Sequence, residues 1–204
     1  MSDIHAVILA SGISSRMGFP KALMPVGNKF FLLKIFDTLT DAKISPAHIV
    51  INMGLKSSLA AQMEKFPGAE FVLNDQPAKG QIHSLQLGLE QAEKSGAKAA
   101  VVALVDQPFV KIDTILMLLD AAESLPQKIL VPRRDGAHGH PILIPAVRFG
   151  DFINAPDGKT ARDVLEEHQA DVAYVDVDDA GAVTDVDTPE DIAKFLKAEE
   201  EELD

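Results

Sequence analysis

The sequence predicts an α/β fold built on a mostly parallel sheet with helices on both faces, and three observations predict it. Two runs, AVILA (Ala6–Ala10) and AAVVALV (Ala99–Val105), are almost continuously apolar, as strands covered on both faces must be. Apolar β-branched runs alternate along the chain with segments of helical periodicity, joined by short connections, which is the pattern of βα units. At 204 residues, 47% hydrophobic and 25% charged, the chain is large enough to bury a core without staples. With no repeat and no low-complexity linker, residues 1–204 read as a single domain.

Strands are expected at His5–Ala10, His48–Met53, Glu70–Leu73, Ala99–Val105, Lys128–Val131, Pro141–Ile144 and Val172–Val177. Helices are expected at Phe30–Ala42, Ser57–Phe66, Gln81–Glu93, Ile112–Glu123, Thr160–His168 and Pro189–Glu200. The last helix carries its own start signal: Thr188 as N-cap, Pro189 at the first helical position and Asp191 three residues after the cap. Residues 198–204 form an acidic C-terminal tail that reads as a solvated helix end.

Composition excludes several classes. Cysteine is absent, which removes disulfide and thiolate chemistry and fits a reducing compartment. The N-terminus MSDIHAVILA has no basic segment before its apolar run and does not read as a signal peptide. No apolar run approaches the ~20 residues that span a bilayer, so a cytoplasmic protein is expected. Lys and Arg number 19 against 31 Asp and Glu, which argues against nucleic-acid binding. An acidic chain that handles a polyanion must concentrate its cations locally or recruit a metal.

Ligands of open parallel sheets bind beyond the carboxyl ends of the strands, so the residues after Ala10 and Val105 are the first to inspect. LASGISSRMGFPK follows the first strand. It fails the dinucleotide and P-loop fingerprints on glycine spacing. It does combine Gly12 and Gly18, which allow close main-chain approach, with the planar fork of Arg16 and the point charge of Lys21 behind Pro20. Such a loop suits a triphosphate. Asp106 ends the second apolar run, where an unpaired carboxylate is costly to desolvate. Asp185 and Asp187 alternate along one extended segment. Either can join Asp106 around a hard cation such as Mg²⁺. His138 and His140 form H-x-H, but without cysteine or an obvious third ligand they do not make a zinc site.

The first loop resembles the L-A-x-G-x-S-x-R-M-G-x-x-K signature of the MobA-like nucleotidyltransferases. The resemblance continues through VDQPF (Val105–Phe109), DGAHGHPIL (Asp135–Leu143), DGKTARDVL (Asp157–Leu165) and DVDTPEDI (Asp185–Ile192). It is greatest to the molybdenum cofactor cytidylyltransferase branch. It implies a Rossmann-like sheet of the nucleotide-diphospho-sugar transferase kind and transfer of CMP from CTP to the terminal phosphate of molybdopterin, with release of pyrophosphate. It places Leu9, Ala10, Ser11, Gly12, Arg16 and Lys21 around the nucleotide phosphates, and Asn74, Gly80 and Ser84 by the base. Arg16, Lys21 and Asp106 are the implied catalytic residues. Asp106 is an implied Mg²⁺ ligand, with Asp185 favoured over Asp187 as the second. His140 and Arg162 fall on the acceptor side, and a molybdoenzyme client is a possible partner.

Three features depart from that pattern. Position 11 is Ser, where the cytidylyltransferase branch usually has Ala and the guanylyltransferase branch Gly. Asn28-Lys29-Phe30-Phe31 replaces the usual G-x-P-hydrophobic run, and Thr160-Ala161-Arg162 replaces Gly-Ala-Arg. The alternatives are a GTP-dependent guanylyltransferase, a pyrophosphorylase for sugar or methylerythritol phosphates, and a non-catalytic nucleotide-binding accessory protein for molybdenum hydroxylases.

Overall fold

The computed structural model describes residues 3–12 and 19–201, so Arg16 and Gly18 of the first loop lie outside the described residues. In chain order, β1 (Ile4–Leu9) is followed by the short strands β2 (Pro25–Val26) and β3 (Lys29–Phe30), then α1 (Phe31–Asp41). Next come β4 (Ala47–Ile51), α2 (Met53–Leu59), β5 (Ala69–Leu73), α3 (Gln81–Lys94), β6 (Ala99–Leu104) and α4 (Ile112–Ser124). The C-terminal part holds β7 (Ile129–Arg134), β8 (Ala137–His138), β9 (Ile142–Pro145), α5 (Phe149–Ile153), α6 (Ala161–Glu167), β10 (Val172–Asp176) and α7 (Pro189–Glu201).

The main sheet runs β10-β7-β9-β6-β1-β4-β5, with β8 hanging from β7. β5, β4, β1 and β6 are mutually parallel, β9 is antiparallel to both of its neighbours, and β10 is parallel to β7. Residues of period two divide the central strands between two cores. Ala6, Ile8, Ile49, Ile51, Val101 and Ala103 pack under α1, α2 and α4. Val7, Leu9, Val50, Ala100, Val102 and Leu104 pack under α3, α5 and α6. This is why the two central strands read as unbroken apolar runs. On the second face a Cβ at Gly88 of α3 would lie 2.4 Å from Val7 Cγ1, so glycine sets how closely that helix approaches β1. No helix among the described residues is long and apolar enough to cross a membrane.

Every expected strand is present within one to three residues at its ends. Where the structure differs, local hydrogen bonding explains it. β4 stops at Ile51 because Asn52 turns to cap α2, its side chain accepting from Leu55 N–H. The expected helix Ser57–Phe66 therefore begins earlier and passes at Ala60 into 3₁₀ geometry. The segment that departs from the family pattern forms the β2–β3 hairpin, turning at Gly27 with φ +57°. Asp135 and Gly136, both at positive φ, make the β7–β8 turn. α7 starts as expected: Thr188 and Asp191 satisfy each other's backbone N–H in a capping box.

One polar pair crosses the apolar sheet. His5 of β1 and His48 of β4, both buried, share a hydrogen bond of 3.0 Å between Nδ1 and Nε2. One ring must accept, so that ring is neutral. Burial holds both pKa values below the usual 6.5, and for His48 the neighbouring His5 adds to the effect while Glu70 at 3.4 Å opposes it. The unfolded histidines bind protons that the folded ones refuse, so this stability is complete above about pH 6.5 and declines as pH falls below it. We expect the urea midpoint to fall between pH 7 and 5, each histidine adding up to about 1.4 kcal/mol per pH unit. The double variant His5→Gln/His48→Gln should show a shallower dependence; an equally steep one would mean that other groups set it.

Candidate active site at the carboxyl rim of the sheet

Because β1, β4, β5 and β6 are parallel, the residues that follow them emerge on one rim: Ser11 and Gly12, Asn52, Asn74, and Asp106. β9 is antiparallel, so His140, just before it, reaches the same rim. Asp185 and Asp187 come there from the far end of the chain. Val186 N–H donates to the Asp106 carbonyl at 2.7 Å, and Gln107 Nε2 donates to Asp185 Oδ1 at 2.9 Å. Behind that junction Phe195 of α7 stacks on Phe109 at 4.6 Å, and Val186 is buried with them. Packing of α7 thus holds two carboxylates beside a third.

Lys21 opens a 3₁₀ turn behind Pro20, whose φ of −60° directs the chain toward the rim. Its Nζ lies 2.5 Å from Asp187 Oδ1 and 3.8 Å from Asp106 Oδ2. Burial raises the Asp106 pKa, Asp185 and Asp187 raise it further, and Lys21 opposes them. Asp106 Oδ1 is buried and has no hydrogen-bond partner among the described residues. An orphaned hard oxygen beside a second carboxylate is a donor set that suits Mg²⁺. Among the described residues no three Asp, Glu or His side chains converge as a ready-made metal site, so such an ion would take its other ligands from phosphate and water. The extended segment 184–187 is not a strand, and its carboxylates do not share one contact: Asp185 faces Gln107, whereas Asp187 faces Lys21. Asp187 does not cap α7, because Thr188 and Asp191 do so.

On the other flank Ser11, Asn74 and Ser84 are buried together. Ser11 Oγ and Ser84 Oγ are 2.5 Å apart, and Asn74 Nδ2 donates to Ser84 at 3.0 Å. Asn74 Oδ1 accepts from Gln76 N–H at 2.8 Å, and Asn52 Nδ2 donates to the Ser11 carbonyl at 3.0 Å. These side chains bond to one another beneath the rim rather than facing solvent. Asn74 is fully buried, and its amide is engaged with Ser84 and Gln76 in bracing the loop. Gly80, at φ +89°, turns the chain into α3, where only glycine is at ease. Leu9 and Ala10 are buried beneath.

His140 sits where Gly139 N–H donates to Pro132 and His140 N–H to Ala182. Desolvation pushes its pKa down to about 4 against an opposing pull from Asp185, so the ring is neutral at pH 7. Arg162, in the first turn of α6, is 86% exposed and pairs with Glu166; it is not gathered to the Asp106 cluster. Sequence reasoning missed Gln107, Asn52 and the buried Asp179. Asp179 accepts from Lys111 N–H, Thr114 Oγ1 and Gly181 N–H. An Asp followed two residues later by Gly was the available turn signal.

Comparison with known proteins places the whole chain. The MobA-like NTP transferase domain model matches residues 6–172. A probable molybdenum cofactor guanylyltransferase of Rhodopirellula baltica is 30% identical over 63% of this chain and 60% of its own length. The purine catabolism protein PucB of Bacillus subtilis is 28% identical over 94% and 95%. The molybdenum cofactor cytidylyltransferase of Escherichia coli is 24% identical over 98% and 97%. Among solved structures, Rv0371c of Mycobacterium tuberculosis superposes with a TM-score of 0.82 at 26% identity, over 96% of this chain and 97% of that one.

The close approach at Gly139 can be tested. A Cβ there would lie 1.8 Å from the Ala182 carbonyl oxygen, so the main chain holding His140 must move. Gly139→Ala should cost about 1–3 kcal/mol, or roughly 3–10 °C in Tm for a chain of this size. Gly150→Ala in α5, where a Cβ meets nothing closer than 3.5 Å, should match or exceed wild type. Equal melting of all three proteins would refute the packing argument.

Proposed function

The chain belongs to the MobA-like NTP transferase family, and on that footing we propose that it transfers CMP from CTP to the terminal phosphate of molybdopterin or its metal-loaded form, releasing pyrophosphate. The carrying observation is Lys21 held 3.8 Å from Asp106, whose buried Oδ1 has no partner among the described residues, at the rim where Ser11 and Gly12 follow β1. In-line displacement at phosphorus needs little covalent help, so the protein acts by positioning and charge. Lys21 stabilises charge that builds on the α-phosphate. Arg16 and the amides of the 11–18 loop hold the leaving phosphates. Asp106, with Asp185 or Asp187, would hold Mg²⁺, which would supply positive charge to the phosphate oxygens. The acceptor phosphate is already ionised at neutral pH and needs no general base. His140, neutral at pH 7, can offer it a hydrogen bond without a charge, and Arg162 can meet its phosphate from α6. The network of Ser11, Asn74 and Ser84 braces the loop so that main chain near Ser11 and Gly80 meets the base.

GTP is the second reading. It is favoured by the guanylyltransferase name of the Rhodopirellula relative. A MobA-like protein acting in the cytoplasm on this cofactor would pass its product to a molybdoenzyme client.

The deciding measurement is pyrophosphate release with Mg²⁺ and molybdopterin from CTP, GTP, UTP and ATP. CTP should lead. GTP turnover without CTP turnover would overturn the base assignment, and no release from any nucleotide would favour an accessory role. Lys21→Ala and Asp106→Asn should fold yet lose about 10²–10³ in rate, the usual cost of one electrostatic element. Wild-type turnover in Asp106→Asn would remove Asp106 from the chemistry.

A further inference from the structure

The Lys21 ammonium lies between the carboxylates to which a divalent cation would bind. It touches Asp187 Oδ1 at 2.5 Å and stands 3.8 Å from Asp106 Oδ2, and only 18% of its side chain is exposed. It reaches this position from a rigid base: Pro20 and the 3₁₀ turn Lys21–Leu23 fix its main chain, and Ala22 is buried. The main chain under Asp106 is tied by the Val186 N–H bond to its carbonyl, and the Asp185 carboxylate accepts from Gln107. The ammonium is thus largely withdrawn from water between a half-buried carboxylate, Asp106, and an exposed one, Asp187.

We propose that Lys21 is a place-holder for the metal: its ammonium neutralises the carboxylates while the site is empty and leaves them only when a triphosphate offers it other oxygens. This rests on the nucleotidyltransferase reading of the same site. The electrostatics require it to act in this way. A divalent ion entering alone would face a positive charge within about 4 Å, a repulsion of several kcal/mol at the effective dielectric of a protein surface. A triphosphate removes the conflict, because it accepts the ammonium at its own oxygens and shares the metal with Asp106. Metal and nucleotide therefore bind as a coupled pair, each raising the affinity of the other by one factor. Lys21 thus has opposite effects on two observables: it assists turnover but opposes metal binding to the empty protein.

Mn²⁺ serves as the probe, with free ion measured by electron paramagnetic resonance and the ternary complex by water-proton relaxation. The full chain is used without acceptor, so that no turnover occurs. Lys21→Met, checked for folding by circular dichroism, should bind Mn²⁺ without nucleotide roughly ten- to hundredfold more tightly than wild type, the range of ordinary coupling between sites. It should lose the matching part of the gain conferred by CTP. Lys21→Arg keeps the charge and should keep wild-type weakness toward Mn²⁺ alone; Lys21→Gln replaces Lys21→Met if the latter does not fold. Unchanged or weaker Mn²⁺ binding by the neutral variants would overturn the proposal, as would a wild type that binds Mn²⁺ equally well alone and with nucleotide. In both cases Mn²⁺ uptake in the ternary complex would leave the proposed function standing. Absence of Mn²⁺ uptake by any form, even with CTP or GTP, would overturn both readings.

Discussion

A carboxylate at the end of a central strand, half withdrawn from water, governs the arrangement of this molecule. Asp106 is raised in pKa by burial and by two carboxylate neighbours, a position that costs free energy unless positive charge is supplied. The fold brings that charge from a distance. Lys21 comes from the loop after β1, while Asp185 and Asp187 come from a segment nearly eighty residues beyond Asp106. Main-chain pairing of Val186 with Asp106 and the stacking of Phe109 on Phe195 fix the junction. The apolar anchor of α7 and the electrostatics of the rim are therefore one structural unit.

The opposite flank solves a different problem with neutral groups. Ser11, Asn74 and Ser84 have no charge to offer and are removed from solvent, yet each finds a partner among the others or in the main chain. Buried polar networks that are fully bonded make a backbone rigid. Here the rigid backbone is that of the loop mouth, at Ser11 and Gly12. The family position that varies among branches is part of this network.

How much of this was legible in the sequence depends on the range of each interaction. Strands declared themselves because both faces of the sheet are covered, which forces unbroken apolar runs such as Ala6–Ala10. Asp106 was legible for the same reason, since it interrupts such a run at the end where parallel sheets bind ligands. The capping box of α7 is local and was read in full. Interactions across the sheet left no trace of that kind. The pairing of Lys21 with Asp187 spans 166 positions, and that of Ser11 with Ser84 spans 73; neither follows from any periodicity. Asp185 and Asp187 both act on Asp106, but their separate partners, Gln107 and Lys21, were not legible because they come from distant parts of the chain. α2 began early because Asn52, assigned to a strand by its apolar neighbours, was a better cap than strand residue.

The acidity of the chain also takes on a different meaning. A net charge of −12 spread over the surface would repel a triphosphate at long range, yet such repulsion between exposed charges fades beyond about 8–10 Å in physiological salt. Within that distance only the local set matters, and among the described residues it is negative: Lys21 stands against Asp106, Asp185 and Asp187. The deficit of positive charge is best met by a divalent ion that arrives with the nucleotide, because the ligand then carries its own counter-charge into the site. An acidic rim is thus compatible with a polyanionic ligand when the ligand is the metal complex and not the free anion. By the same argument such a rim would disfavour phosphate compounds that lack a bound cation, and the carboxylates that make Asp106 costly to bury would select the species admitted to the site.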